Sequence, residues 1–173
     1  IEYRVVNSDL TSQRIVEDAL ELFSAETCYP IKLVYGHINN LVAKDVDTIF
    51  LPSFIKAAEE NEDSEQAAYI CPYVQTIGSA LRARFDFAGK GIKFVDTPVY
   101  FSFDVDDMVQ RFKPLARELN VSERKLRKAI KSGLKAFQLF KQGLAEEGQK
   151  ILADIREDDK VLVVVSRPYN GYD

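Results

Sequence analysis

Apolar residues recur along the chain in two alternating rhythms: short dense runs, and longer stretches in which they return every third or fourth position. Ile1 to Val6 (IEYRVV) is a β-rich run. The SDLTSQ after it offers Ser8, Asp9, Thr11 and Ser12 as N-caps for a helix through Ile15, Ala19, Leu20, Leu22 and Phe23. Pro30 suits the first turn of a second helix, where its missing N–H has no intrahelical partner, and Ile31, Val34, Ile38, Leu41 and Val42 form that helix's apolar stripe. VDTIFLP, residues 46–52, is nearly continuous and closed by proline, as a strand covered on both faces reads. Lys56 to Gln66 is an acidic, helix-prone stretch that reads as a solvated surface excursion, with disorder as the competing reading, and AAYICPYV adds a short strand ending near Cys71-Pro72. Gln75 to Phe85 reads as a helix, AGKG as a turn and IKFVDTPVYF as a strand.

Beyond Phe103 the rhythm becomes helical. Asp104 caps a helix through Met108 and Phe112 that Pro114 interrupts, and Ser122 starts another running past Leu152, with Leu126, Ile130, Leu134, Phe137, Leu144, Ile151 and Ile155 on one face. VLVVVSRP, residues 161–168, is the strongest buried-strand signal and predicts a central position in a sheet. The pattern predicts one α/β domain over residues 1–173: a mostly parallel sheet with flanking helices, and a long helical section at about 104–156 before the last strand.

Composition narrows the classes. At 173 residues and 46% hydrophobic content the chain can bury a real core. A net charge of -4 sets its field against polyanions, so no nucleic-acid partner is expected, and the basic stretch NVSERKLRKAIKSGLKAF reads as a solvated helix face. No apolar run approaches the roughly 20 residues of a membrane span. Two cysteines 43 positions apart form neither a disulfide framework nor a CxxC pair, which fits a reducing cytoplasm. The chain opens on a strand-like run and stops just after another, which reads as a segment of a larger multidomain protein.

The candidate chemistry is small. Cys28-Tyr29-Pro30 precedes a helix, and Cys71-Pro72-Tyr73 stands between a strand and a helix. In open α/β sheets, loops entering helices at the carboxyl ends of strands are where ligands bind. Helix N-termini favour the thiolate needed for metal ligation or attack, so the two thiols are candidates for one shared edge. The competing reading is that each is a small buried hydrophobe. His37, the only histidine, lies beside the apolar stripe of its helix and roughly 10 Å along the axis from Cys28, which favours a hydrogen-bonded structural role. Gly36 in mid-helix predicts close approach of another element or a ligand. GxGxxG, GxxxxGK[ST], HExxH and GxSxG are all absent, so no dinucleotide fingerprint, P-loop, zincin helix or hydrolase elbow is supported and catalytic residues are unassigned.

SAETCYPIKLVYGHINNL, then VDTIFLP, ICPYVQ and VVVSRPYNGYD resemble, in that order, the uncharacterised domain of CoA-substrate-specific enzyme activases related to activators of 2-hydroxyacyl-CoA dehydratases. The resemblance implies Rossmann-like lobes similar to dehydratase and benzoyl-CoA reductase subunits, with a role in electron transfer to, or reductive activation of, a CoA-thioester dehydratase or reductase. By that similarity Cys28 and Cys71 supply two thiolates to a [4Fe–4S] cluster of the full-length protein. Such a cluster usually takes four, so this fragment by itself is expected to hold none. Lys32 and His37 would then lie behind the ligands or serve helix packing, and Arg167 and Tyr169 would line the same edge. The implied partners are the remaining domains of the parent protein and the dehydratase or reductase. The family often shows histidine where Tyr35 stands, and its ATP-binding modules have no counterpart here. The alternative is a non-catalytic α/β scaffold or interaction domain with structural cysteines.

Overall fold

The computed structural model describes residues 4–23, 27–57 and 69–166. The elements among them, in chain order, are α1 (Gln13–Leu22), α2 (Tyr29–Ala43), β1 (Thr48–Phe50), β2 (Ser53–Lys56), α3 (Pro72–Gln75), α4 (Ile77–Arg84), β3 (Lys93–Val95), β4 (Pro98–Tyr100), α5 (Val105–Glu118) and α6 (Glu123–Asp154). The fold is mixed α/β with two small parallel sheets of two strands each, β1 with β3 and β2 with β4. A Rossmann-like sheet is not formed by the described residues.

The two sheets continue one ladder. Thr48 faces Lys93 and Ser53 faces Pro98, the same offset, and between them Leu51 N–H donates to the Val95 carbonyl and Ser53 N–H to the Thr97 carbonyl, at 2.9 and 3.1 Å. Pro52 stands where the backbone amide would point away from this partner, so the bonds of Leu51 and Ser53 on either side of it are kept. Beyond Phe54 a register shift brings Lys56 opposite Tyr100.

The capping residues act as their chemistry requires. The Ser12, Asp104 and Ser122 side chains accept from the amides of Ile15, Asp107 and Lys125. Asp45 and Asn120, both at φ 54°, end α2 and α5 in the left-handed region that short polar side chains tolerate. The AGKG segment is the expected turn, with Gly91 at φ 70° and Asp86 accepting from the Gly89 amide.

The main core joins Ile31, Tyr35 and Ile38 of α2, Ile49 of β1, Ile77 and Leu81 of α4, and Phe85, Phe87, Ile92 and Phe94. Phe23, Tyr35, Phe85, Phe87 and Phe94 make a row of ring contacts with centroid spacings of 4.6, 6.3, 5.4 and 4.3 Å. Arg82 covers its outer end, over Phe94 at 4.9 Å and paired with Asp96 at 2.6 Å. A second, smaller cluster of Val109, Ala116 and Leu126 holds α5 to α6.

Several expectations are corrected. Residues 161–166 form no strand, and Leu162, Val163 and Val165 are 86, 78 and 94% exposed, because no described strand lies beside them to pair their backbone. Arg4 to Val6 are likewise not in a strand. AAYICPYV is reduced, in its described part, to one antiparallel bridge between Tyr69 and Lys56. The strand at 46–52 is covered on one face only: Ile49 is buried and Phe50 half exposed. Pro114 does not interrupt α5, since the burial of Leu115 and Ala116 holds the helix through the lost hydrogen bond. The acidic excursion falls largely outside the described residues, whereas the long final helix is present as expected.

Candidate functional site

Cys28 and Cys71 occupy the same kind of position. Each is an N-cap, at φ/ψ of -66/146° and -48/132°, with proline in the first two helical positions after it. The Cys28 carbonyl accepts from the Ile31 and Lys32 amides at 3.1 and 3.4 Å, and the Cys71 carbonyl from the Val74 and Gln75 amides at 2.9 and 3.1 Å. Three residues after each cysteine an apolar side chain, Ile31 or Val74, anchors in the main core. They arrive by different routes: Cys28 comes after α1, whereas Cys71 follows the Tyr69 bridge to β2, where Ile70 N–H donates to the Ile55 carbonyl at 3.0 Å.

Both cysteines are free and exposed, so the expectation that each is a small buried hydrophobe is corrected. Neither cysteine side chain makes a capping hydrogen bond, and the side chains that reach the core are those three residues further along. Titration of the native chain with a thiol reagent is therefore expected to count both cysteines without denaturant; a count that rises on unfolding contradicts this placement.

Lys32 is half-buried one turn into α2 from Cys28, on the same side of the helix. The Thr27 hydroxyl, immediately before Cys28, is buried and has no hydrogen-bond partner among the described residues. Nothing in the sequence marked it. Arg167 and Tyr169 lie outside the described residues.

His37 is engaged elsewhere. Its Nδ1 lies 3.0 Å from the Ser8 hydroxyl and its Nε2 3.1 Å from that of Thr11, so neutral imidazole donates to one and accepts from the other. Asn40 and Lys44, further along α2, bind Asp9, and Lys44 also reaches the Asn7 carbonyl at 2.8 Å. α2 thus carries a polar row that ties down the segment before α1. Ser8, Asp9 and Thr11 look like helix caps in the sequence; only the long-range contacts reveal this second use.

Burial lowers the His37 pKa from its ordinary 6.5. The folded chain then takes up the proton less readily than the unfolded one, so its stability declines as pH falls through 6.5 toward the lower folded value. With no other histidine present, the His37→Asn variant should show a flatter stability profile in that window by chemical denaturation at a series of pH values. An unchanged slope would contradict the assignment.

Among the described residues no three His, Cys, Asp or Glu side chains group in a way that could hold a metal ion. A cavity of about 840 Å³ opens between Arg4–Asn7 and Lys44–Phe50, and neither cysteine lines it. No described helix is long and apolar enough to cross a membrane. The family model that matches is the CoA enzyme activase uncharacterised domain (DUF2229), over residues 1–173. No curated protein and no solved structure matches.

Proposed function

Because this chain belongs to the family of the CoA enzyme activase uncharacterised domain, we propose that it serves iron–sulfur electron transfer, or reductive activation, toward a 2-hydroxyacyl-CoA dehydratase or reductase. In this reading Cys28 and Cys71 each give one thiolate to a cluster completed by ligands from outside the chain. The observation that carries it is the repeated arrangement: two exposed thiols, each at a helix start before proline, each followed three residues later by an anchor in one core. That arrangement supports a common rim. Access by a cluster or a second protein needs exposed sulfur.

The donor set in this chain does not fit a complete [4Fe–4S] cluster. Two thiolates are half of the usual four, and no described group of three ligating side chains makes up the difference. No catalytic step is therefore assigned to these residues. Their part in the proposal is to present two exposed sulfurs, with Lys32 as the nearest cation along α2 from Cys28.

Anaerobic reconstitution with iron and sulfide tests the proposal. The parent chain should retain iron that the Cys28→Ala/Cys71→Ala double variant loses, with each single variant intermediate. Equal iron in parent and double variant would overturn it.

A further inference from the structure

α6 has 32 residues, about 48 Å of helix, whereas the 14 residues of α5 span about 21 Å. α5 is too short to cover its neighbour, and the apolar stripe of α6 does not stop where α5 does. Leu126 and Leu134 are buried, and Phe137 touches Phe101 and Phe103 at 5.7 and 6.3 Å. The same row then continues through Phe140, Leu144 and Ile151, which are 62, 57 and 61% exposed, to Ile155. Gly148 sits in that row, and a side chain built on it would meet nothing within 4 Å. A contiguous apolar stripe this long on a charged helix marks a contact surface.

Charge along the helix says what kind of contact. Residues 124–141 carry seven Lys and Arg and no acid; residues 146–159 carry six Asp and Glu against Lys150 and Arg156. We propose that two copies of this chain pair antiparallel along α6, from Phe137 to the C-cap Ile155. In that register Phe137 lies opposite the partner's Ile155, Phe140 opposite the partner's Leu152, and Leu144 opposite the partner's Gly148, so the largest gap receives an aliphatic side chain twice, once from each copy. The same register runs the basic half of each helix toward the acidic C-terminal end of the other, again twice by symmetry. A parallel pair would instead align the basic halves with each other. Of the acids nearest the two-fold axis, Glu147 pairs with Lys150 of its own helix at 3.1 Å and Glu146 accepts a hydrogen bond from Gln142.

Sedimentation equilibrium through the micromolar range tests the pairing. The native chain should be a dimer whose dissociation constant rises with salt. Leu144→Glu should raise that constant at least about tenfold while helix content by circular dichroism stays unchanged, because a carboxylate is then buried without a partner. Orientation is read separately in a Cys28→Ser/Cys71→Ser background. Mixing Leu144→Cys with Gly148→Cys should give disulfide-linked pairs faster than either variant alone. A chain that is monomeric throughout overturns the proposal and leaves the stripe to a different protein surface. A dimer indifferent to Leu144→Glu overturns it equally, as does one in which the Leu144→Cys variant by itself links faster than the mixture.

Discussion

Leu81→Ala is expected to lower the unfolding free energy by about 3–5 kcal/mol. Leu81 is 0% exposed, at the centre of α4, with Ile77 of the same helix, Ile38 of α2, Ile49 of β1 and the aromatic row in one cluster around it. Truncation removes buried methyl and methylene groups and leaves a cavity that these neighbours cannot close, since strand, helices and stacked rings all meet there. Against a typical total of about 5–15 kcal/mol the change is large. Denaturant unfolding should show the midpoint falling with little change in slope. The matched control is Leu10→Ala at a position 91% exposed, where the change should stay within about 0.5 kcal/mol. Equal losses at both sites would mean that the core is not where the structure puts it.

Gly36→Ala is expected to destabilise by about 1–3 kcal/mol, although alanine is the better helix former. Helix propensity alone predicts a gain of about 1 kcal/mol. At this position, however, a Cβ would run into the carbonyl oxygen of Ile15 on α1, with the Ile15 Cγ2 3.0 Å away. A backbone carbonyl cannot rotate aside as a side chain can, so α1 and α2 must move apart, loosening the buried contacts of Ile15 and Ala19. Gly143→Ala, where a Cβ would meet nothing within 4 Å, isolates the propensity effect and should stabilise by up to about 1 kcal/mol. The pair of variants therefore differs in sign. A stabilised Gly36→Ala would disprove the close crossing of α1 and α2.

The corrections share a cause. VLVVV at 161–165 has the composition of a central strand, but a strand exists only when a neighbour accepts and donates along its edge, and no described strand does so. IKFVDTPVYF at 92–101 does become strand, because Thr48–Lys56 runs beside it in matching register. The run that becomes strand is the less apolar of the two, with Lys93, Asp96 and Thr97 in it, so pairing and not hydrophobicity separates them. Pro114 illustrates the same limit inside a helix, where burial of Leu115 and Ala116 outweighs a local breaker.

For the candidate site, helix starts were legible and company was not. Cys28 and Cys71 could be placed before their prolines from sequence, because N-capping depends on residues within one turn. Their exposure could not, since it depends on which later side chains turn into the core. His37 could be set beside the stripe of α2, yet its partners Ser8 and Thr11 come from residues 29 and 26 positions earlier.

By itself the sequence determined the caps, the main helical stretches, the glycine turn and the need for something to approach Gly36, all of which rest on steric and hydrogen-bonding rules acting over a few neighbouring residues. Only the tertiary structure decided that α1 is what approaches Gly36, that the strands pair two by two, that His37 holds the N-terminal segment, and that both thiols face solvent. Those outcomes depend on the packing of residues tens of positions apart, and no local pattern specifies which distant surfaces meet.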